Sequence, residues 1–250
     1  VVGLVGSEMC IRDRITIALR NKVFEQVSGG RLLGELVHLC GEEHAVRCFE
    51  RMADFGLIRA TVHPDIAYGK PLRELLGRVE GVLNWHRLLF RPESPRRWLV
   101  FMMALCYRID RQGREAVCRR FKLSGKEGQA LLEYKMVCNR VEEKLSEGGS
   151  TTDLRTSTIW LLLEGVPLEA ILFCLAVTRS DRVRMAISRH LTDASGAGAT
   201  ISGMDLKSLG IPPGPVYGEI LRALKLEKMD GRLKDREAEL DWVRQRYPRR

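Results

Sequence analysis

In the run Ile201-Ser202-Gly203-Met204-Asp205-Leu206-Lys207-Ser208-Leu209-Gly210-Ile211-Pro212-Pro213-Gly214-Pro215, a short helix meets a rigid Pro/Gly turn. A longer helix starts at once through Gly218-Glu219-Ile220-Leu221. Proline sets φ near −65° at the first helical position, so Pro215 is pre-organised to open that second helix. A helix N-terminus left open, with Gly214 admitting a ligand closely, is suited to an anion. Lys207, Arg222 and Lys225 lie near it in sequence, and a phosphate backbone is the guest that such a turn suits.

Working outward from this hairpin, the chain reads as helix after helix. Ile15–Gln26 forms a first one. Ser28 can cap the next, whose apolar stripe is Leu32, Leu33, Leu36, Val37 and Cys40. Glu42–Phe55 follows and ends at Gly56, and His63-Pro64 stops the short segment after it. Pro71–Phe90 is a longer helix, and Ser94-Pro95 supplies a cap with proline at N1 for the next. Trp98–Tyr107 is almost wholly apolar and should be the most buried helix of the middle region. Ser124-x-x-Glu127 is a capping box that opens a helix to about Glu147. Gly148-Gly149-Ser150 is the best linker candidate, and helices are expected over Thr152–Glu164, Pro167–Thr178 and Ser180–Thr192. Ser195–Thr200 reads as a small-residue loop, Asp235 as the cap of the last helix, and Pro248-Arg249-Arg250 as a frayed end. Strict apolar/polar alternation over a strand's length is absent. The expected fold is all-α, an elongated multi-helix array without significant sheet.

Composition bounds the rest. An apolar fraction of 45% over 250 residues suffices for real cores. Lys and Arg number 41 against 32 Asp and Glu, a surplus of nine that points to a polyanionic partner. No apolar run approaches the roughly 18–20 residues of a spanning helix, so no membrane partner is expected. Seven cysteines without CxxC pairing fit a reducing compartment, and the cytoplasm is the expected location. Residues 1–14, from Val1 to Arg14, resemble translated sequencing-adapter sequence and are set aside as a non-native scar; a short strand at Val1–Val5 is the alternative.

Several tail residues carry a resemblance in order and spacing: Gly203-x-Asp205-Leu206, Leu209-Gly210-Ile211, Pro213-Gly214-Pro215 and Gly218-Glu219-Ile220-Leu221. Asp230-Gly231-Arg232, Arg236-Glu237-x-Glu239-Leu240 and Val243-Arg244 continue it. Together they resemble the tail of bacterial tRNA nucleotidyltransferases and poly(A) polymerases. Ser28-x-x-Arg31-x-x-x-Glu35-Leu36 is similar to the neck element of the same family, with Arg31 and Glu35 four apart and able to pair. The resemblance divides the chain into a neck-like region at 15–68, a helical body at 69–148 and a tRNA-binding-like tail at 149–250. It leans toward the long, A-adding forms that carry phosphoesterase and CBS domains upstream.

The resemblance also implies a catalytic head that holds two magnesium ions on an Asp-x-Asp pair and uses ATP or CTP. No Asp-x-Asp occurs anywhere in this sequence. The expectation is a piece cut off before its head, with no catalytic residue, no metal site and no cofactor of its own. His38, Cys40, His44 and Cys48 recur near metal-ligand spacing, yet buried cysteine is more simply a small hydrophobe. Cys106, Cys118, Cys138 and Cys174 read the same way.

The partner implied is tRNA or another structured RNA, gripped by shape and phosphates. The candidate phosphate-binding residues are Arg179, Arg182, Arg184, Arg189, Lys207, Gly214, Arg222 and Lys225. A second basic cluster spans Arg91, Arg96, Arg97, Arg108, Arg111, Arg114, Arg119 and Arg120, where solvated helix faces are the plainer reading. Tyr217 and Trp242 have the rings to stack on bases, although core packing is the commoner use. Two other readings stay open: a non-catalytic helical protein-interaction module, and a DNA-binding hairpin protein.

Overall fold

The computed structural model describes residues 2–146, 155–193 and 199–247, with side chains for 10–145, 155–192 and 199–247. Among the described residues every regular element is a helix, as the cap and stripe pattern requires. They are α1 (Val2–Arg20), α2 (Val23–Gln26), α3 (Gly29–Gly41), α4 (Ala45–Asp54), α5 (Leu57–Thr61), α6 (Lys70–Arg87), α7 (Arg97–Leu105) and α8 (Arg111–Phe121). There follow α9 (Gly125–Ser146), α10 (Thr156–Leu163), α11 (Leu168–Val177), α12 (Asp181–Asp193), α13 (Gly203–Ser208), α14 (Pro215–Met229) and α15 (Arg236–Arg246). The Gly148–Ser150 linker, most of the Ser195–Thr200 loop and Pro248–Arg250 lie outside the described residues. At the N-terminal end the backbone is helical from Val2, where a short strand was the alternative.

Two compact units result: Val1–Glu142 with Val166–Arg179, and Glu143–Gly165 with Ser180–Arg250. In the first, α6, α7 and α11 pack on one another, and α3 lies against α7 and α8. Helix α7 is apolar all round because it is enclosed all round: Leu99 through Leu105 are buried. Phe101 meets Phe49 at 5.4 Å between ring centroids, and Tyr134 meets Phe173 edge-on at 4.9 Å. In the second unit, α10 packs on α12 and α14. A core of Ile201, Leu206, Ile220, Leu224, Leu233 and Val243 joins α13, α14 and α15.

Local signals hold where both partners are near in sequence. Ser28 Oγ accepts the Arg31 N–H at 3.4 Å, Glu127 accepts from Ser124 Oγ at 2.8 Å, and Asp235 accepts the Ala238 N–H at 2.8 Å. Gly56 has φ +72°. The Ser94-Pro95 cap does not form: α7 starts after Arg96, whose N–H donates to Glu169 Oε1 at 3.1 Å, so a carboxylate distant in sequence sets the start. Helix α4 likewise begins at Ala45, three residues later than expected, where Val46 N–H donates to Glu80 Oε1 at 3.1 Å. Among the described residues no ion pair joins Arg31 to Glu35, and both stay exposed. Such a solvated pair contributes little, so nothing enforces it.

Cys138 of α9 and Cys174 of α11 form a disulfide, Cα to Cα 5.2 Å, rather than standing as separate small hydrophobes. The two cysteines are 36 residues apart in sequence, and only the packing of their helices reveals the proximity.

Candidate nucleic-acid interface

The Pro/Gly hairpin of the second unit is built by short-range chemistry. Asp205 accepts from both the N–H and the Oγ of Ser202, at 2.8 and 3.0 Å, and so closes the first turn of α13. Arg236 of α15 donates to the same carboxylate at 2.5 Å. These bonds, the Ser202 N–H foremost, hold the Asp205 carboxyl below its usual range. At the other end Gly210, at φ +82°, lets its N–H reach Lys207 O at 2.9 Å and the Ile211 N–H reach Leu206 O at 3.2 Å. This 6→1 and 5→2 pairing satisfies the last carbonyls of α13. The same pairing ends α14 around Gly231. Asp230, beside it, accepts from the Ser157 N–H at 2.9 Å and Oγ at 2.8 Å in the first turn of α10.

Two aromatics that suggested base stacking have other work. Tyr217 donates its hydroxyl to Ile211 O at 2.9 Å, which clamps the Pro/Gly turn onto α14. Its ring lies so close to Gly203 that an added Cβ there would sit 3.2 Å from Tyr217 Cδ2. The indole of Trp242 carries the Arg246 guanidinium 4.4 Å from its centroid. Gly214 has an extended backbone, φ 169°, which any residue adopts, and a Cβ there would meet nothing within 4 Å. Its fold therefore imposes no glycine, and the space beside the start of α14 is open.

The predicted phosphate-binding residues divide into groups. Lys207 is exposed on α13 without an ion-pair partner among the described residues. Arg222 pairs with Glu164, and Lys225 sits 4.3 Å from the centre of the Trp160 ring, so α10 engages both. On α12, Arg182 and Arg189 are seven residues apart and share one edge, while Arg184 lies on the other edge beside Asp181 at 2.5 Å. His190 is half-buried, and burial lowers its pKa, favouring the neutral ring. Arg179 belongs to the first unit. Sequence reasoning passed over Arg236 and Arg244, which line a groove of about 750 Å³ with Leu209, Leu240 and Tyr247. Their place in the resemblance motif was the available signal.

The second basic cluster is largely consumed by folding. Arg97 Nε donates to Cys40 O at 2.9 Å, Arg114 is buried and donates to Ile109 O at 2.9 Å, and Arg120 donates to Phe24 O at 2.5 Å. Arg96 and Arg111 pair with Glu127 and Glu115 at 3.8 and 3.2 Å. Even so, the first unit holds 25 Lys and Arg against 18 Asp and Glu, a surplus of 7 of the chain's 9. In the neck motif the decisive residue is Gly29, which the sequence reading left without a role. A Cβ there would lie 1.6 Å from Arg120 O, so α3 starts against the end of α8 only because that residue is glycine. Ser28, Arg31 and Glu35 thus sit at a helix junction.

Among the described residues no group of three or more His, Cys, Asp or Glu is placed to hold a metal ion. Burial pushes the Cys40 thiol up to about 12, and Cys40 itself packs as a core residue.

No family model matches the chain. It is 32% identical over 224 residues to the A-adding tRNA nucleotidyltransferase of Geobacter sulfurreducens, covering 89% of this chain and 25% of that protein. Among solved structures, the Thermotoga maritima CCA-adding enzyme complexed with tRNA superposes with a TM-score of 0.74 at 23% identity, over 95% of this chain and 55% of that one. A CCA-adding enzyme with ATP superposes with a TM-score of 0.73 at 22% identity, over 94% and 54%. The chain thus spans a quarter of the curated relative's length and about half that of the structural neighbours.

Proposed function

Because the chain belongs to the tRNA nucleotidyltransferase family, we propose that its two helical units bind RNA for an enzyme that adds nucleotides to RNA 3′ ends. The substrate in this reading is tRNA, and the compartment is the cytoplasm, where the Cys138–Cys174 pair is held reduced. The observation that carries it is the alignment of 89% of the chain with an A-adding tRNA nucleotidyltransferase. The basic surplus supports it, since phosphate neutralisation supplies most of the affinity for structured RNA. So does the structural neighbour whose complex holds tRNA.

Nucleotidyl transfer itself needs metal-bound carboxylates, and this chain has no Asp-x-Asp pair to supply them. In the proposal the chemistry, with its magnesium and ATP or CTP, belongs to a head outside these residues. Arg189 and Lys207, both exposed, are the second unit's foremost phosphate contacts, with Arg182 on the same edge of α12 as Arg189; Arg222 and Lys225 contribute less because Glu164 and Trp160 already engage them.

Filter binding of tRNA across a salt series tests this. Four to six phosphate contacts give a slope of log K against log salt of about −3 to −5. Alanine at Arg182, Arg189 and Lys207 should make it shallower with helicity unchanged. An unchanged slope removes this surface from the RNA site, and equal affinity for duplex DNA overturns the RNA reading.

A further inference from the structure

Within the first unit, α6, α7, α9 and the end of α11 border a half-open cavity of about 370 Å³, a size that suits a small organic ligand. Its wall is apolar where Leu72, Leu75, Ala104 and Leu105 meet. Three arginines line the same cavity: Arg78, Arg108 and Arg179. Arg78 Nε donates to Ala176 O at 2.9 Å, which ties its guanidinium to the C-terminal end of α11. Among the described residues none of the three has a carboxylate within ion-pair distance. The single acid among the described lining residues, Glu142, accepts the Thr178 hydroxyl at 2.8 Å.

Three like charges around one partly enclosed space repel one another and focus a positive potential into it. The arginines of the neighbouring cluster are spent on backbone carbonyls or carboxylates, as Arg97, Arg114 and Arg111 show. Here Arg108 and Arg179 line a cavity with Arg78, whose Nε alone is given to a carbonyl, and a guanidinium fork matches phosphate oxygens two at a time. The leucine wall opposite, with Tyr107 beside it, suits a flat apolar group.

We propose that this cavity binds a phosphate ester carrying a flat ring with apolar faces, the chemistry of a mononucleotide unit. The phosphate meets Arg78, Arg108 and Arg179, and the ring lies on Leu72, Leu75 and Leu105. The unit comes either as a free nucleotide or as one residue of an RNA strand. The site goes beyond the RNA-binding reading and does not rest on it.

The test is calorimetric titration of the full chain with AMP, adenosine, inorganic phosphate and a short single-stranded oligoribonucleotide. AMP should bind with Kd of about 1 mM or tighter, and adenosine and phosphate at least about tenfold more weakly. Arg108→Ala and Arg179→Ala should each weaken it about ten- to a hundredfold, the effect of losing a charge-assisted hydrogen bond. Ala67→Phe at the exposed rim should block entry without touching the core, and it reads the site even if an arginine variant folds poorly. Binding of the oligoribonucleotide but not of AMP, lost in the same variants, assigns the site to a nucleotide of RNA. Absence of binding by both overturns the proposal, as does binding indifferent to Arg108→Ala, Arg179→Ala and Ala67→Phe. The Arg182/Arg189/Lys207 variant reports tRNA binding separately, so either reading can fail alone.

Discussion

Replacing Glu239 should loosen the second unit more than any other single polar change there. Its side chain is fully buried on α15, and one oxygen accepts the N–H groups of Thr200 and Ile201 at 2.7 and 3.0 Å. The other takes the Lys228 ammonium at 3.1 Å. Burial alone would raise this carboxyl, but the Ile201 N–H, Lys228 and Thr200 together hold it below its usual value. Glu239→Gln can keep both backbone bonds but turns an amide N–H₂ toward Lys228, which costs about 1.5–3 kcal/mol for one charged hydrogen bond. Glu239→Ala loses all three and strands buried donors, costing about 3–5 kcal/mol. For a unit of this size 1 kcal/mol is about 4–8 °C, so the alanine variant should melt at least about 12 °C lower. Because the folded carboxyl titrates below the unfolded one, its stabilisation is complete above the unfolded value, near 4.5, and is lost as pH falls through the folded value. The glutamine variant should lack that part of the acid sensitivity. Urea unfolding from pH 3 to 7, with hydrogen exchange at Thr200 and Ile201, measures both effects. Stabilities of both variants within about 0.5 kcal/mol of wild type would refute the buried-anchor reasoning.

Gly29→Ala should cost about 3 kcal/mol, because the new methyl meets the Arg120 carbonyl and backbone must move; a neutral result in urea unfolding would mean that α3 and α8 do not meet there. Cys138→Ser should lower stability by about 4 kcal/mol under oxidising conditions, given the 36-residue separation, and by far less in excess thiol reductant; equal losses in both would speak against the bond. The chain with tRNA, ATP, CTP and magnesium should incorporate no nucleotide, since it has no Asp-x-Asp pair; incorporation above a no-protein blank would overturn this.

The sequence by itself determined the helical class and several helix starts, but its reading ran one helix through the break between α1 and α2 and left α8 unread. Ser28, Ser124 with Glu127, Pro215 and Asp235 act on backbone groups within about one turn, so residue type and spacing suffice to place them. The resemblance motifs were legible as an ordered pattern, but their purposes were not. Gly203 makes room for Tyr217, and Asp230 serves the start of α10. Both partners are distant in the chain, and no local rule names them.

The same holds for the charges. Nothing in spacing separates Arg97 and Arg114, spent on carbonyls within the first unit, from Arg108, left on a cavity wall. Helix periodicity sends Arg184 to the edge of α12 opposite Arg182, although the run of basic residues looked like one patch. Only tertiary structure decided where the starts of α4 and α7 fall, which cysteines pair, and why Glu239 is buried. The physical reason is range: capping and turn energies depend on neighbours three or four residues away, whereas a buried carboxylate or guanidinium takes its role from whichever backbone the packed core brings to it.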